Sequence, residues 1–457
     1  MAKLFGTDGI RGVANRYPMT PEIALKVGRA TAHFFKGRAE RFGDESIILI
    51  GKDTRRSSYM IEQALAAGIT SEGCTALLVG PMPTPGVAFL TRSMRADAGV
   101  MVSASHNPFE YNGIKLFGHN GFKLPDHVEK EIEALVLSDS LEKAPPTGGG
   151  LGLAKRIEDA MGRYIVHVKR SLNDEFDLKG MRVVIDSAHG AAYKCARYVF
   201  NELGAEVFQV GAEPNGININ DKVGALYPER VAELVRKYRA DIGIALDGDA
   251  DRVIFSDEKG AIADGDQIMA ILAIDAKNRG RLKNDAIVAT KMSNIGLELA
   301  LKARGINVLK ADVGDRAVVD MMRSHNVVLG GEQSGHIVDL QYSTTGDGIS
   351  TALSILRVMK EVEEPLSHLR AVVTPFPQVL KNIRVKSKPP LDHLSPVQKL
   401  IRKFEEELGQ EGRLLVRYSG TEPVCRVMVE GRNDKRIEEM AGEICQALSS
   451  ALNEVDS

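Results

Sequence analysis

The sequence predicts an α/β protein of three similar α/β repeats around a central cleft, followed by a smaller α+β domain. Three observations lead there. Short β-branched runs alternate with longer amphipathic stretches, the pattern of strands and helices in parallel α/β units. The alternation restarts twice, and each unit has an apolar run that empties into a short polar loop rich in small residues. The chain has 457 residues, about three times the roughly 150 expected of one domain.

In the first unit (1–155), residues 47–50, 75–79 and 99–102 read as strands. Residues 59–68 read as a helix with Ile61, Ala64 and Leu65 at helical spacing. Pro145, Pro146, Thr147 and three glycines then mark a linker before a helix over 156–171. The second unit (156–257) offers strands at 183–185, 207–210 and 242–246. Pro228, tolerated at a first helical position, opens a helix that carries Val231, Leu234 and Val235 on one face. The third unit (258–373) has strands at 287–289, 307–310 and 327–329 and is closed by Pro375-Phe376-Pro377. The last (374–457) reads as strand, helix (396–408), strands (414–417 and 426–429) and helix (435–452).

Composition narrows the function classes. Lys and Arg total 59 against 61 Asp and Glu, a net charge of −2, so no general field draws the chain to nucleic acid or an anionic membrane. No apolar run approaches the roughly 18 residues of a membrane span. The N-terminus goes straight to charge and glycine, and Cys74, Cys195, Cys425 and Cys445 are scattered without a C-x-x-C pair. Reduced thiols in a cytoplasmic protein are expected. Glycine is in excess, 44 of 457 against about 7% on average.

Three strand-end loops carry the chemistry. Ser103-Ala104-Ser105-His106-Asn107-Pro108 sets a hydroxyl beside an imidazole; it reads as an activated nucleophile or as a capped turn. Adjacent side chains usually point apart, which argues against His106 as a simple base for Ser105. Lys115 follows, either a base or clamp near a metal-bound phosphate or one exposed lysine among many. In Asp247-Gly248-Asp249-Ala250-Asp251-Arg252, three carboxylates repel unless a cation lies among them, and hard oxygen ligands suit Mg²⁺ or Ca²⁺. An EF-hand is disfavoured because Arg252 stands where the sharp turn needs glycine; a solvated acidic turn is the plainer alternative. The third loop, Gly330-Gly331-Glu332-Gln333-Ser334-Gly335-His336, offers mixed polar groups.

Two further segments could face anions. Arg417-Tyr418-Ser419-Gly420-Thr421-Glu422-Pro423, with Arg426 nearby, combines hydroxyls, a glycine and guanidinium groups, as a phosphate cradle or a hairpin turn would. Gly6 to Gly12, with Arg11, is an anion-facing loop or a pair of turns. No Walker A motif occurs, and the glycine run at 148–150 follows no strand, so no dinucleotide fingerprint is present there. Nucleophile, metal site, specificity loop and separate cradle together fit phosphoryl transfer, which needs positioning and charge neutralisation above all.

In order along nearly the whole chain, Gly6–Gly12, Ser103–Lys115, Asp247–Arg252, Gly330–His336 and Arg417–Pro423 resemble the α-D-phosphohexomutase family. Gln333, the segment Tyr342 to Gly348 and the segment Glu213 to Asn220 are most similar to its bacterial branch acting on glucosamine phosphate. The resemblance implies mixed sheets and a phosphoserine at Ser105. It implies Mg²⁺ held by Ser105, Asp247, Asp249 and Asp251, and a glucosamine or glucose 1,6-bisphosphate as activator and intermediate. Lys115 and His336 would be general acid/base groups, with Arg11 and His106 beside the transferring group. Glu332, Ser334 and Arg252 would bind the sugar; Arg417, Ser419, Gly420, Thr421 and Arg426 the phosphate at rest. Interconversion of glucosamine 6- and 1-phosphates, feeding UDP-N-acetylglucosamine and cell-wall synthesis, is the implied activity; glucose or mannose phosphates are the alternative. No nucleic-acid or membrane partner is implied, and a homodimer is left open. His189, Leu226, Tyr227 and Asp312 depart from that branch's pattern. A sugar-phosphate sensor without turnover and a phosphatase with an Asp nucleophile at Asp247 are the rival classes.

Overall fold

Continuous apolar runs form strands that are covered on both faces, as parallel strands in α/β sheets require. A computed structural model describes residues 4–6, 8–36, 46–138, 141, 146–173, 175–419 and 423–455. The first domain contains β1 (Ile10–Val13), α1 (Pro21–Phe35), β2 (Ile47–Lys52), α2 (Arg56–Ser71), β3 (Thr75–Pro81), α3 (Thr84–Ser93) and β4 (Ala98–Val102). It continues with β5 (Tyr111–Gly118), α4 (Asp126–Val136) and β6 (Ala154–Arg156), and α5 (Ala160–Lys169) leads into the second domain. The sheet of the first domain has the order β1-β5-β4-β2-β3-β6. β4, β2, β3 and β6 are parallel, and β5 pairs antiparallel with β4 and β1. Val100, Met101 and Val102 of β4 are fully buried, each such side chain stabilising by about 1.5–3 kcal/mol.

The second domain contains β7 (Arg182–Asp186), α6 (Cys195–Glu202), β8 (Glu206–Val210), α7 (Glu229–Tyr238), β9 (Ile242–Leu246), β10 (Val253–Asp257) and β11 (Ile262–Ala263). Their order in the sheet is β11-β10-β9-β7-β8. The third contains α8 (Gly265–Asn278), β12 (Ala286–Thr290), α9 (Ile295–Lys302), β13 (Asn307–Ala311), α10 (Asp315–Ser324), β14 (Leu329–Gly331), β15 (Ile337–Asp339), α11 (Gly348–Val362) and α12 (Leu366–Arg370). Its sheet order is β13-β12-β14-β15. One plan recurs: in each sheet a parallel strand turns into an antiparallel one, at β4–β5, β9–β10 and β14–β15. The three loops singled out from the sequence are these three turns.

The last domain is a small antiparallel sheet, β16 (Gln378–Arg384), β17 (Arg413–Tyr418) and β18 (Val424–Glu430), with α13 (Ser395–Leu408) and α14 (Asp434–Val455). Val427, Val429, Phe404, Ile437 and Ile444 form its core. Residues Ser293–Gly305 and Val373–Ser457 make one compact unit, and Met1–Met292 with Ile306–Val372 the other.

Two elements differ from expectation. Residues 154–156, expected to lead into a helix, pair along β3 instead. All three are exposed, so backbone pairing at a sheet edge holds them and side-chain pattern is silent. The strand expected at 327–329 is Leu329–Gly331, so Gly330 and Gly331 belong to the strand and the loop starts at Glu332. A Cβ on Gly330 would lie 2.7 Å from the Val288 carbonyl oxygen, which explains glycine in a close-packed strand.

Candidate active site

The Ser105 loop closes the β4–β5 turn with Ser105 in the left-handed region at φ 51°, an uncommon conformation for a residue with a Cβ. Ser105 is 1% exposed, and its Oγ donates to Asp247 Oδ2 at 2.6 Å. The His106 ring nitrogen Nδ1 lies 3.3 Å from that Oγ and 3.1 Å from Arg252 Nη1. A guanidinium only donates, so Nδ1 is an acceptor there. Burial, Arg252 and Arg11 push the His106 imidazole down to about 4, and the ring is neutral at physiological pH.

The second loop enters from β9. Asp247, Asp249 and Asp251 alternate along it, and the turn at Ala250 (φ 56°) brings their side chains together. One oxygen of each lies within 4.8 Å of the others, and all three residues are buried. A Cβ on Gly248 would stand 2.6 Å from the Ser105 carbonyl oxygen, so glycine is what lets the two loops abut. The donor set fits a hard divalent cation: Asp249 Oδ1 and Asp251 Oδ1 are buried with no hydrogen-bond partner among the described residues, an arrangement unfavourable without a ligand. Burial, Asp251 and Asp249 drive the Asp247 carboxyl well above its ordinary range. Against burial, Lys115 and His336 hold Asp251 well below it. Thr84, at the start of α3, donates its Oγ1 to Asp249 Oδ2 at 2.7 Å and its N–H to the Asp249 carbonyl.

Lys115 reaches the cluster from β5 and is 2% exposed. Its Nζ donates to Asp249 Oδ2 at 2.9 Å and Asp251 Oδ2 at 3.2 Å. Asp249, Asp8 and Asp251 overcome burial and hold the lysine well above its usual value, so it is a cation. Arg11 donates to Asp8, as does Lys123, which also pairs with Asp315. Arg252 closes the carboxylate loop, its N–H donating to Asp247 Oδ1 at 3.1 Å.

The third loop brings His336, Glu332 and Ser334. His336 Nε2 accepts the Gly346 N–H at 3.1 Å, and Nδ1 lies 3.7 Å from Asp251 Oδ1. Glu332 accepts from Gly314 N–H at 3.1 Å and from Ser334 Oγ at 3.2 Å. In the last domain Arg417 and Arg426 are cross-strand partners on β17 and β18. Ser419 is 5% exposed and donates its N–H to the Val424 carbonyl. Gly420 and Thr421 lie outside the described residues.

Several contributors lie outside the segments read from the sequence, namely Asp53, Arg55, Thr84 and Lys123, while Asp8, Ser103 and Asn220 lie inside such segments but were given no role. One signal was available, because Asp53-Thr54-Arg55 follows β2 as the other loops follow their strands. Of the departures from the branch pattern, Leu226 and Tyr227 are 50% and 44% exposed, and Asp312 pairs at the surface with Lys291. His189 sits in a left-handed turn and accepts from Glu213 N–H.

A buried hydroxyl, a carboxylate triad and a lysine cation on three repeated strand-end turns define a phosphoryl-transfer protein of phosphohexomutase design. Profiles of the phosphoglucomutase/phosphomannomutase alpha/beta/alpha domains I, II and III match residues 2–143, 162–260 and 264–376, and the C-terminal domain profile matches 380–447. The chain belongs to the phosphoglucomutase/phosphomannomutase family. It is 54% identical over 452 residues to the phosphoglucosamine mutase of Bdellovibrio bacteriovorus, covering 99% of each chain. It is likewise 54% identical over 454 residues to that of Pelobacter propionicus, covering 99% and 100%. Among solved structures, a phosphoglucomutase/phosphomannomutase family protein from Burkholderia thailandensis shares the fold, with TM-score 0.79 at 23% identity and coverage of 98% and 97%.

Proposed function

We propose that this chain is a phosphoglucosamine mutase, interconverting glucosamine 6-phosphate and glucosamine 1-phosphate through a phosphoserine at Ser105 and a 1,6-bisphosphate intermediate. The observation that carries the reading is the Ser105 hydroxyl seated 2.6 Å from Asp247 within the carboxylate triad. Relatives of that name, 52–54% identical across nearly the whole chain, support the choice of sugar. Supply of an amino-sugar phosphate to UDP-N-acetylglucosamine and cell-wall synthesis, in the cytoplasm, follows from the same reading.

In the first half-reaction the bond from phosphorus to Ser105 Oγ breaks and one to the sugar O1 forms. The sugar hydroxyl gives up a proton and Ser105 Oγ gains one. In the second, the phosphoryl group on O6 of the reoriented bisphosphate returns to Ser105 and the proton moves the opposite way. Lys115 is already protonated, which suits it to give a proton to a departing oxygen and to balance the transferring group's charge. His336, with Nε2 engaged by Gly346, orients Asp251 and shares the proton traffic. Arg11 and Arg252 add fixed positive charge, and neutral His106 packs against the reacting oxygen. Asp247, Asp249 and Asp251 would hold Mg²⁺, which supplies charge neutralisation for phosphoryl transfer. Glu332 and Ser334 are assigned to sugar hydroxyls. Arg417, Ser419 and Arg426, with Gly420 and Thr421, are assigned to the phosphate not reacting.

The test is a steady-state comparison of glucosamine, glucose and mannose 6-phosphates with Mg²⁺ and a bisphosphate primer. Glucosamine 6-phosphate is expected to have the highest kcat/KM; another sugar in first place overturns the specificity. Intact mass should show phosphate on active wild type, removable by phosphatase, and none on Ser105→Ala. Free phosphate as the main product, with activity surviving Ser105→Ala, would instead indicate a phosphatase.

A further inference from the structure

Ser105 is the only residue of its loop whose peptide N–H and carbonyl are both tied, among the described residues, to groups set by a single buried carboxylate. The N–H donates to Ser103 Oγ at 2.9 Å, and Ser103 Oγ donates to Asp53 Oδ2 at 2.8 Å. The carbonyl accepts from Arg55 Nη2 at 2.9 Å, and Arg55 Nε donates to the same Asp53 Oδ2 at 2.7 Å. Asp53 is itself pinned: its Oδ1 accepts from Ser58 Oγ at 2.6 Å and from the Arg55 N–H at 3.0 Å. Both Asp53 and Arg55 are 0% exposed.

The guanidinium does more than cap one carbonyl. Its two terminal nitrogens also take the carbonyls of Asn107, Pro108 and Tyr111, so one side chain gathers the loop from Ser105 to the start of β5. Asn220 Nδ2 adds a second donor to the Ser105 carbonyl at 2.8 Å. A planar fork with fixed donors imposes geometry that a flexible ammonium cannot. Burying an arginine without solvent requires that its donors be satisfied, and here they are satisfied by the loop that presents Ser105. The left-handed φ of 51° at Ser105 is the kind of local strain that persists only when surroundings over-determine it.

We propose that Asp53 and Arg55 are positioning residues for phosphoryl transfer, acting with Ser103 to hold the Ser105 peptide at both ends so that Oγ keeps its line to the transferring phosphorus. This rests on the reading of Ser105 as the phosphoryl carrier. The device acts on the reacting atom and not on the sugar, so its loss falls on kcat and leaves KM nearly unchanged. Misplacement of a reacting group by about 1 Å lowers rate on the order of 100-fold.

The test uses two variants of the full chain. Arg55→Lys keeps the charge and loses the fork. Ser103→Ala frees the Ser105 N–H while leaving the Asp53–Arg55 pair, and serves if Arg55→Lys does not fold. For each folded variant, melting temperature, kcat, KM and the rate at which glucose 1,6-bisphosphate phosphorylates Ser105 are measured, the last by intact mass. Expected for Ser103→Ala is a fall of about 10- to 100-fold in kcat and in phosphorylation rate, with KM within about threefold. A folded Ser103→Ala protein with kcat and phosphorylation rate within about twofold of wild type overturns the inference, as does a loss confined to KM. Wild type that takes up no phosphate on Ser105 overturns the underlying reading instead, so the two failures are distinguishable.

Discussion

Lys115 shows how far electrostatics around single residues shape the site. Alone it would lose charge on burial, yet Asp249, Asp8 and Asp251 surround it and keep it protonated. Asp249 in turn depends on Thr84, whose hydroxyl and N–H both reach it. With Asp249 as a ligand in the proposed Mg²⁺ site, a group that orients it is expected to contribute about 10- to 100-fold to affinity. Thr84→Val is therefore expected to raise half-saturating Mg²⁺ by about that factor, and titration with Mn²⁺ followed by electron paramagnetic resonance should show the same weakening. Unchanged Mn²⁺ affinity would remove Thr84 from that role. The three aspartates were legible because their spacing lies within one loop. Thr84 was not, because its partner is 165 positions away; Arg55 and the Ser105 carbonyl are 50 apart. Short-range pattern carries no record of such pairings.

At the scale of elements, α1 and α2 pack through reciprocal glycines. A Cβ on Gly28 would stand 2.4 Å from the Leu65 carbonyl oxygen, and one on Gly68 2.2 Å from that of Leu25. Helix propensity alone favours Gly68→Ala by about 1 kcal/mol. Overpacking opposes it by roughly 1–3 kcal/mol, more where the obstacle is backbone that cannot turn aside. Gly68→Ala is expected to lower the melting temperature, and a rise would mean the helices separate at little cost. Most strands and helices were legible from periodicity, since apolar runs and amphipathic faces report burial directly. β6 was not, because all three of its residues are exposed and its pairing with β3 is a backbone matter. The glycines of β14 were read as loop because local propensity disfavours them in strands, whereas close packing requires them, Gly330 against Val288 of β12 and Gly331 against the backbone of His336 and Ile337.

Across the whole molecule, the half-buried His167 contributes to the response of stability to acid. His167 stacks on Phe89 with ring centroids 3.8 Å apart, and burial and Arg170 push it down to about 4. In the unfolded chain histidine titrates near 6.5, so the unfolded state binds protons first. The contribution is complete above about pH 6.5 and is lost as pH falls toward 4. Asp347, pushed up to about 6 by burial, acts in the opposite sense, since the folded state takes its proton first. Comparison with His167→Phe separates the two: between pH 7 and pH 5 wild type should lose more melting temperature than the variant. Parallel curves would show that His167 is not held neutral. Among the described residues no helix is long and apolar enough to cross a membrane, and a net charge of −2 leaves attraction for an anionic sugar to a few placed cations.

The sequence by itself determined the α/β class, the recurrence of three strand-end loops, and the identity of Ser105, Lys115 and the three aspartates as the residues to watch. These depend on contiguous pattern: apolar runs set burial, and side chains within one loop share a neighbourhood whatever the rest of the chain does. Only the tertiary structure decided that those loops are the turns between parallel and antiparallel strands, that Lys115 is a cation, and that Asp53 and Arg55 stand behind Ser105. These are consequences of packing segments distant in sequence, where burial strengthens every charge interaction and a single carboxylate can set the geometry of a loop 50 residues on.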